Sequence, residues 1–161
     1  MKLIKSKKIN ILIKIIFVIY ILFVIKMIFF KYPIHELLIS IKNEHAGIPT
    51  SSNFIPFKTI FSYLKGEPQF YIALKNVIGN IFIFFPFGFL LPLMITKINS
   101  YMKIIVLSFG FSLLLESTQF MLKIGSFDID DLILNTLGAV IGYVLLVKIV
   151  ILKSGLKKYG I

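Results

Sequence analysis

Four of the seven acidic residues of this 161-residue chain fall within one short stretch, and they suggest two kinds of chemistry. The four are Glu116, Asp128, Asp130 and Asp131. A carboxylate inside an apolar segment, as Glu116 is, can serve as a general base. Three clustered aspartates offer the oxygen ligands that Mg²⁺, Mn²⁺ and Ca²⁺ prefer, so Asp128, Asp130 and Asp131 are a candidate site for a divalent cation.

The same aspartates have a simpler interpretation as helix caps. They precede an apolar run that begins at Leu132, and negative charge stabilises a helix N-terminus. One aspartate is enough for that role, and three exceed it. Capping and cation binding are therefore both open on the residues alone.

Polar side chains accompany the carboxylates at helical spacing, three or four residues apart. The pairs that share a helix face in this way are Asn76 with Asn80, Glu116 with Gln119, and Asp131 with Asn135. Polar groups are costly inside apolar segments and usually have partners or a function. We expect the three pairs to face one another in one pocket, with Glu116 close to the two asparagines. Hydrogen bonds that only hold the helices together are the alternative.

Four apolar runs are long enough to carry these residues in membrane-spanning helices. They cover residues 9–30, 73–95, 103–122 and 132–152. Each is close to the ~20 residues that cross the hydrocarbon core, where only helices satisfy the backbone of such a segment. The sequence therefore predicts an all-α integral membrane bundle of four transmembrane helices, forming a single domain. Gly138 and Gly142 in the last run predict close helix packing.

The composition supports a membrane protein and argues against a soluble or nucleic-acid-binding domain. The chain is 58% hydrophobic with a net charge of +11, and all 18 basic residues are lysines. A soluble domain is nearer about 45–50% apolar. Lysines at membrane interfaces, close to anionic lipid, explain the charge better than a nucleic-acid partner does. The absence of cysteine excludes disulfides, thiol nucleophiles and cysteine-ligated metals.

The segment 31–72, between the first two spans, is too apolar for a plain linker. Apolar residues between 34 and 41 recur at helical spacing and predict a short helix lying on the membrane surface. A second short helix is predicted at Phe57–Lys65, before Gly66. We expect the part from Asn53 to Tyr63 to cover the pocket.

The distribution of lysines also predicts how the protein is oriented in the membrane. With four spans both termini share a side, and that side carries nine lysines outside the spans while the other carries five. The nine are Lys2, Lys5, Lys7, Lys8, Lys97, Lys103, Lys153, Lys157 and Lys158, and the five are Lys31, Lys42, Lys58, Lys65 and Lys123. The positive-inside rule then places both termini in the cytoplasm and the polar pocket at the outer face.

Five short motifs, in this order and spacing, resemble the VanZ-like family of bacterial membrane proteins. They are Asn53-Phe-Ile-Pro-Phe57, Asn76-x-x-Gly-Asn80, Pro86-Phe-Gly88, Glu116-x-x-Gln119 and Asp128-x-Asp-Asp131, the last followed by Asn135, Gly138 and Gly142. The resemblance runs from about Asn53 to Tyr143, more than half of the chain. Family members often carry an arginine shortly before the first aspartate, and the nearest basic residue here is Lys123.

The resemblance implies a protein of the bacterial cell envelope, because the family is named for a protein that gives low-level resistance to the glycopeptide teicoplanin. We expect an outward-facing pocket that binds a lipid head group or a cell-wall precursor and lowers glycopeptide susceptibility. Its expected residues are Asn53, Asn76, Asn80, Glu116, Gln119, Asp128, Asp130, Asp131 and Asn135. A membrane-embedded, metal-assisted enzyme acting on an envelope lipid or glycan is the alternative, and a structural or transport subunit is a third interpretation.

Overall fold

The computed structural model describes residues 6–29, 52–67, 70–122 and 124–158. These residues form five helices, α1 (Lys7–Phe29), α2 (Lys58–Leu64), α3 (Phe70–Met94), α4 (Tyr101–Met121) and α5 (Ile129–Lys158). Among the described residues, the β-type pairing consists of one isolated parallel bridge between Asn53 and Asp128. The predicted all-α fold is confirmed.

Each of the four long helices is apolar and long enough to cross a membrane, as predicted. The helices begin two or three residues before the predicted runs. Ser100 caps α4 by accepting the backbone N–H of Lys103 at 3.4 Å. Asp128 caps α5 by accepting the backbone N–H of Asp130 at 2.9 Å.

α3 and α5 form the centre of the bundle and touch backbone to backbone through glycines. A Cβ added at Gly88 would overlap the carbonyl group of Ala139, and one added at Gly138 would overlap the backbone of Ile81. Gly142 makes the same close approach to α3. Any larger side chain would push the two helices apart, so Gly138 and Gly142 have the predicted packing role.

An apolar core lies between the second halves of α1 and α3, the helix α4 and the middle of α5. Phe87 of α3 and Phe111 of α4 stack with ring centroids 5.3 Å apart, and Phe84 is completely buried beside them. Tyr20 ties α1 to α3 by donating its hydroxyl to the carbonyl oxygen of Ile83 at 2.8 Å. This core adjoins the cavity described next, because Ile83 and Phe84 belong to both.

The short helix α2 lies at the opposite end, where α5 begins. It forms within the Phe57–Lys65 segment predicted to be helical, while the helix predicted between residues 34 and 41 lies outside the described residues. Phe54 and Phe61 are exposed on this segment, and exposed aromatic rings are typical of a membrane interface. Phe57, immediately before α2, has φ 65°, a left-handed conformation that is uncommon for a bulky residue.

Candidate functional site

A cavity of about 360 Å³ lies among the four long helices. It is lined near the ends of α1 and α4 and near the starts of α3 and α5, so it lies at the same end of the bundle as α2. The lining residues are Met27, Lys75, Asn76, Gly79, Asn80, Ile83, Phe84, Glu116, Gln119, Asp131 and Asn135. Its volume falls in the lower part of the range of small-molecule pockets, which is roughly 300–1,000 Å³.

Six of the nine residues predicted for the pocket line this cavity. They are Asn76, Asn80, Glu116, Gln119, Asp131 and Asn135, the three pairs that helical spacing had placed on shared faces. Glu116 is 6% exposed and shares the cavity with both asparagines of α3. The other three predicted residues, Asn53, Asp128 and Asp130, lie outside the lining.

The two asparagines of α3 connect the cavity to α5 and to α2. Asn80 donates its side-chain N–H to Asp131 Oδ1 at 2.6 Å. Asn76 donates to the hydroxyl oxygen of Tyr63 at 2.9 Å, and Tyr63 belongs to α2. Burial raises the pKa of the Tyr63 hydroxyl above its ordinary value of 10.0, and the negative charge of Asp131 adds to this shift, while the bond from Asn76 opposes it. Tyr63 therefore stays neutral over the physiological range and accepts this hydrogen bond.

Asn135 is tied to α4 through its side chain. Its side-chain N–H donates to Ser112 Oγ of α4 at 2.8 Å, which fixes the orientation of the amide. The side chain is only 4% exposed, and its Oδ1 has no hydrogen-bond partner among the described residues. Buried polar atoms are nearly always hydrogen-bonded, so each exception needs an explanation.

Asp130 is completely buried and acts on α2 rather than on the cavity. Its Oδ1 accepts the backbone N–H of Phe57, and its Oδ2 accepts those of Thr59 at 2.8 Å and Ile60 at 3.1 Å. The N–H groups at a helix start have no partner within the helix, and negative charge there is stabilising. Asp130, from the first turn of α5, therefore caps α2 and supports the left-handed backbone at Phe57.

Asp128 completes this attachment. It accepts the Asn53 side-chain N–H at 3.0 Å and the Thr59 hydroxyl at 2.7 Å, in addition to capping its own helix. The backbone of Asn53 pairs with Phe127 and Ile129 on either side of Asp128. We call the four residues Asn53, Thr59, Asp128 and Asp130 the clamp, because together they hold the segment before and within α2 against the start of α5.

The three aspartates thus separate into two environments, with Asp128 and Asp130 in the clamp and Asp131 in the cavity. In the part of the chain that the structure describes, no three carboxylate or histidine side chains are grouped so that they could hold one metal ion. The divalent-cation site stays a prediction that this arrangement does not support. Lys123, the basic residue nearest to the aspartates, lies outside the described residues.

A sequence model of the VanZ/LLP1 family matches residues 17–152, a range that contains both the cavity and the clamp. The chain belongs to this family. It is 31% identical over 126 residues to Protein VanZ of Enterococcus faecium, and the alignment covers 76% of this chain and 66% of that protein. The chain therefore spans just under two-thirds of the length of that relative. No solved structure matches the chain. Family membership and the four apolar helices together make it a multi-pass membrane protein.

Sequence reasoning missed four residues of the two regions. Thr59 and Tyr63 are four residues apart on one face of α2, and Ser112 lies one turn before Glu116, so helical spacing could have found all three. Lys75 lines the cavity next to Asn76, but a lysine near the start of a span is easily taken for an interfacial anchor.

Proposed function

We propose that this VanZ-family membrane protein belongs to the bacterial cell envelope, and that its cavity binds a lipid head group or a cell-wall precursor. By doing so it lowers susceptibility to glycopeptides such as teicoplanin. One observation supports this proposal most strongly: seven polar side chains from three helices line one cavity in a largely apolar bundle. Such groups are expensive in a membrane and mark functional sites by default.

The size of the cavity limits what it holds. A volume of about 360 Å³ lies near the lower end of the roughly 300–1,000 Å³ that small-molecule pockets span. That is the scale of a head group, whereas a glycopeptide contains several amino acids and sugars. The protein would therefore protect the envelope by binding a membrane constituent rather than by enclosing the drug.

Binding has more support than catalysis by a side-chain nucleophile. The described residues that line the cavity include no serine, cysteine or histidine. Glu116 has the burial expected of a general base, but the lining provides no metal-binding group of three to accompany it. Metal-assisted chemistry on an envelope lipid or glycan stays an alternative hypothesis.

The functional experiment compares teicoplanin susceptibility of a sensitised host that expresses wild-type or variant protein at equal membrane levels. We expect wild-type protein to lower susceptibility, and Asp131→Asn and Glu116→Gln to abolish this effect, because both remove an ionisable carboxyl group from the cavity while keeping the side-chain shape. Glu67→Gln is the matched control, since Glu67 is an exposed carboxylate outside the lining. Wild-type protection by all three variants, or no protection by the wild type, would refute the proposal.

We infer from the lysine distribution that the cavity faces outward and both termini are cytoplasmic. The chain has no cysteine, so single cysteines at Ser6, Ser52, Ser126 and Ser154 report topology cleanly. An impermeant maleimide added to intact cells should label positions 52 and 126 only. Labelling of position 6 or 154 instead would reverse the orientation.

A further inference from the structure

The helix α2 turns its polar side toward the bundle and its apolar side away from it. Phe57, Phe61 and Leu64 are 50%, 60% and 77% exposed, and the rings of Phe57 and Phe61 contact edge to face with centroids 6.5 Å apart. Thr59 and Tyr63 lie on the other side of the helix, and their hydroxyl groups bond to the clamp and to α3. A surface helix of a soluble protein has the reverse arrangement, with its apolar face toward the core.

The hydrogen bonds of α2 fix its depth along the bundle. Tyr63 accepts from Asn76, which lies six residues after the start of α3 at Phe70, so α3 continues about 9 Å past this contact at about 1.5 Å per residue. That part of α3 is apolar, belongs to the span Phe70–Met94 and exposes Phe70, Tyr71, Ile72 and Leu74. The apolar face of α2 therefore continues the lipid-facing surface of α3.

The length of α3 places this contact at the edge of the hydrocarbon core. Its 25 residues extend about 38 Å, whereas the core is about 30 Å thick, so both ends of α3 reach the head-group layers. A helix that packs beside the second turn of α3 lies where acyl chains meet head groups. An amphipathic helix at this boundary buries its apolar face about 5–10 Å deep.

We propose that the face formed by Phe57, Phe61 and Leu64 inserts into the membrane leaflet at this end of the bundle. Lys58 and Lys65 are exposed and seven residues apart, so they lie on one side of the helix, where they can reach lipid phosphates. The clamp attaches the opposite face to the start of α5 by hydrogen bonds. Insertion of α2 brings lipid head groups to the end of the bundle where the cavity lies.

Tryptophan fluorescence tests this insertion, because the chain contains no tryptophan. Phe61→Trp in the full chain is reconstituted in phosphatidylcholine vesicles whose acyl chains carry bromine either close to the head group or near the chain end. We expect blue-shifted emission, stronger quenching by the bromine close to the head group, and several-fold weaker quenching by aqueous iodide than for Lys97→Trp. Lys97 is the control for water, because it is exposed in the connection between α3 and α4. Phe82→Trp is the control for the membrane interior, because Phe82 is 71% exposed in the middle of α3.

Leu64→Trp is a second reporter on the same face, and it should behave like Phe61→Trp even if one of the two variants folds poorly. Iodide quenching of these reporters equal to that of Lys97→Trp would overturn the proposal, because it would place the face in water. Protection from iodide and from both brominated lipids would overturn it as well, because protein would then cover the face. None of these outcomes depends on what the cavity binds, so the insertion of α2 and the proposed function can fail separately.

Discussion

The clamp and the cavity use neighbouring carboxylates in opposite ways. Asp130 in the clamp receives three backbone N–H groups from the segment around the start of α2, which occupies both of its oxygens. Asp131, the next residue, lines the cavity and is bonded by Asn80. Successive residues of an α-helix point about 100° apart, so adjacency along the chain separates side chains rather than grouping them. The comparison teaches that one acidic motif can supply both a helix cap and a side chain that lines a cavity.

Replacing Asp130 should have the largest effect on stability. Asp130→Ala leaves the N–H groups of Phe57, Thr59 and Ile60 without their acceptor and removes the charge that stabilises the start of α2. We expect a loss of about 3 kcal/mol, which is at the level of strong hydrogen bonds to a charged group. The thermal unfolding midpoint in detergent measures it, with Glu67→Ala as the control. An Asp130→Ala midpoint equal to that of the control would show that the clamp does not stabilise the fold.

A smaller loss of stability is expected when Thr59, on the α2 side of the clamp, is replaced. Thr59→Val keeps the side-chain shape but removes the hydroxyl that donates to Asp128 and accepts from Asn53. We expect about 1–2 kcal/mol, as for a hydrogen bond with one charged partner. Thr118→Val is the matched control, because among the described residues the Thr118 hydroxyl donates to the carbonyl oxygen of Leu114, one turn earlier in its own helix. Equal midpoints for the two variants would contradict the role of Thr59.

The spans and the polar faces of their helices could be predicted from sequence, whereas the clamp could not. Apolar runs define the spans, and a spacing of three or four residues places Asn76, Asn80 and Glu116 on inward faces. These are local patterns that a helix imposes on its own residues. The bond between Asn53 and Asp128 joins positions 75 residues apart, and its formation depends on how the chain returns to the start of α5. No local pattern in the sequence predicts the course of the chain between these two positions.

The prediction of a single nine-residue pocket was too broad for the same reason. Sequence indicates that Asp128, Asp130 and Asp131 lie at the same end of the bundle, but not the direction in which each points. Asp128 and Asp130 point toward the segment that contains the start of α2, where backbone N–H groups need acceptors. The sequence does not show this need, because it depends on where α2 begins. The capping interpretation therefore applies to Asp128, which caps α5, and to Asp130, which caps α2.

The two regions should separate most clearly in conservative substitutions of Asp128 and Asp131. Asp128→Asn keeps an oxygen that can accept the N–H groups of Asp130 and Asn53, and its new N–H can donate to the Thr59 hydroxyl oxygen in place of the bond that Thr59 now donates. Stability should therefore change by about 1 kcal/mol or less, and teicoplanin protection should remain. Asp131→Asn should change stability equally little but abolish protection. Susceptibility tests at equal membrane levels, with unfolding midpoints in parallel, measure both effects. Loss of protection in Asp128→Asn at wild-type stability would assign function to the clamp as well.

The smallest effect is expected at the contact between α2 and the cavity. Tyr63→Phe removes the hydroxyl that accepts from Asn76, and we expect a loss of about 0.5–1 kcal/mol at neutral pH, as for a neutral hydrogen bond. The pKa of Tyr63 is raised above 10.0 in the folded protein, chiefly by burial. The folded state therefore holds this proton more tightly than the unfolded state does. The stabilisation is complete below pH 10 and declines as the pH rises through 10 toward the folded-state pKa.

Unfolding midpoints recorded at neutral pH and above pH 10 test whether stability declines in this direction. Other tyrosines and lysines also titrate there, so the informative quantity is the difference in pH dependence between wild type and Tyr63→Phe. Tyr71→Phe is the control, because Tyr71 is 73% exposed at the start of α3. Between neutral pH and a pH above 10, Tyr63→Phe should lose less stability than the wild type loses. Tyr71→Phe should lose the same amount as the wild type. If both variants follow the wild type, Tyr63 does not connect α2 to the cavity, and the clamp alone holds α2 in place.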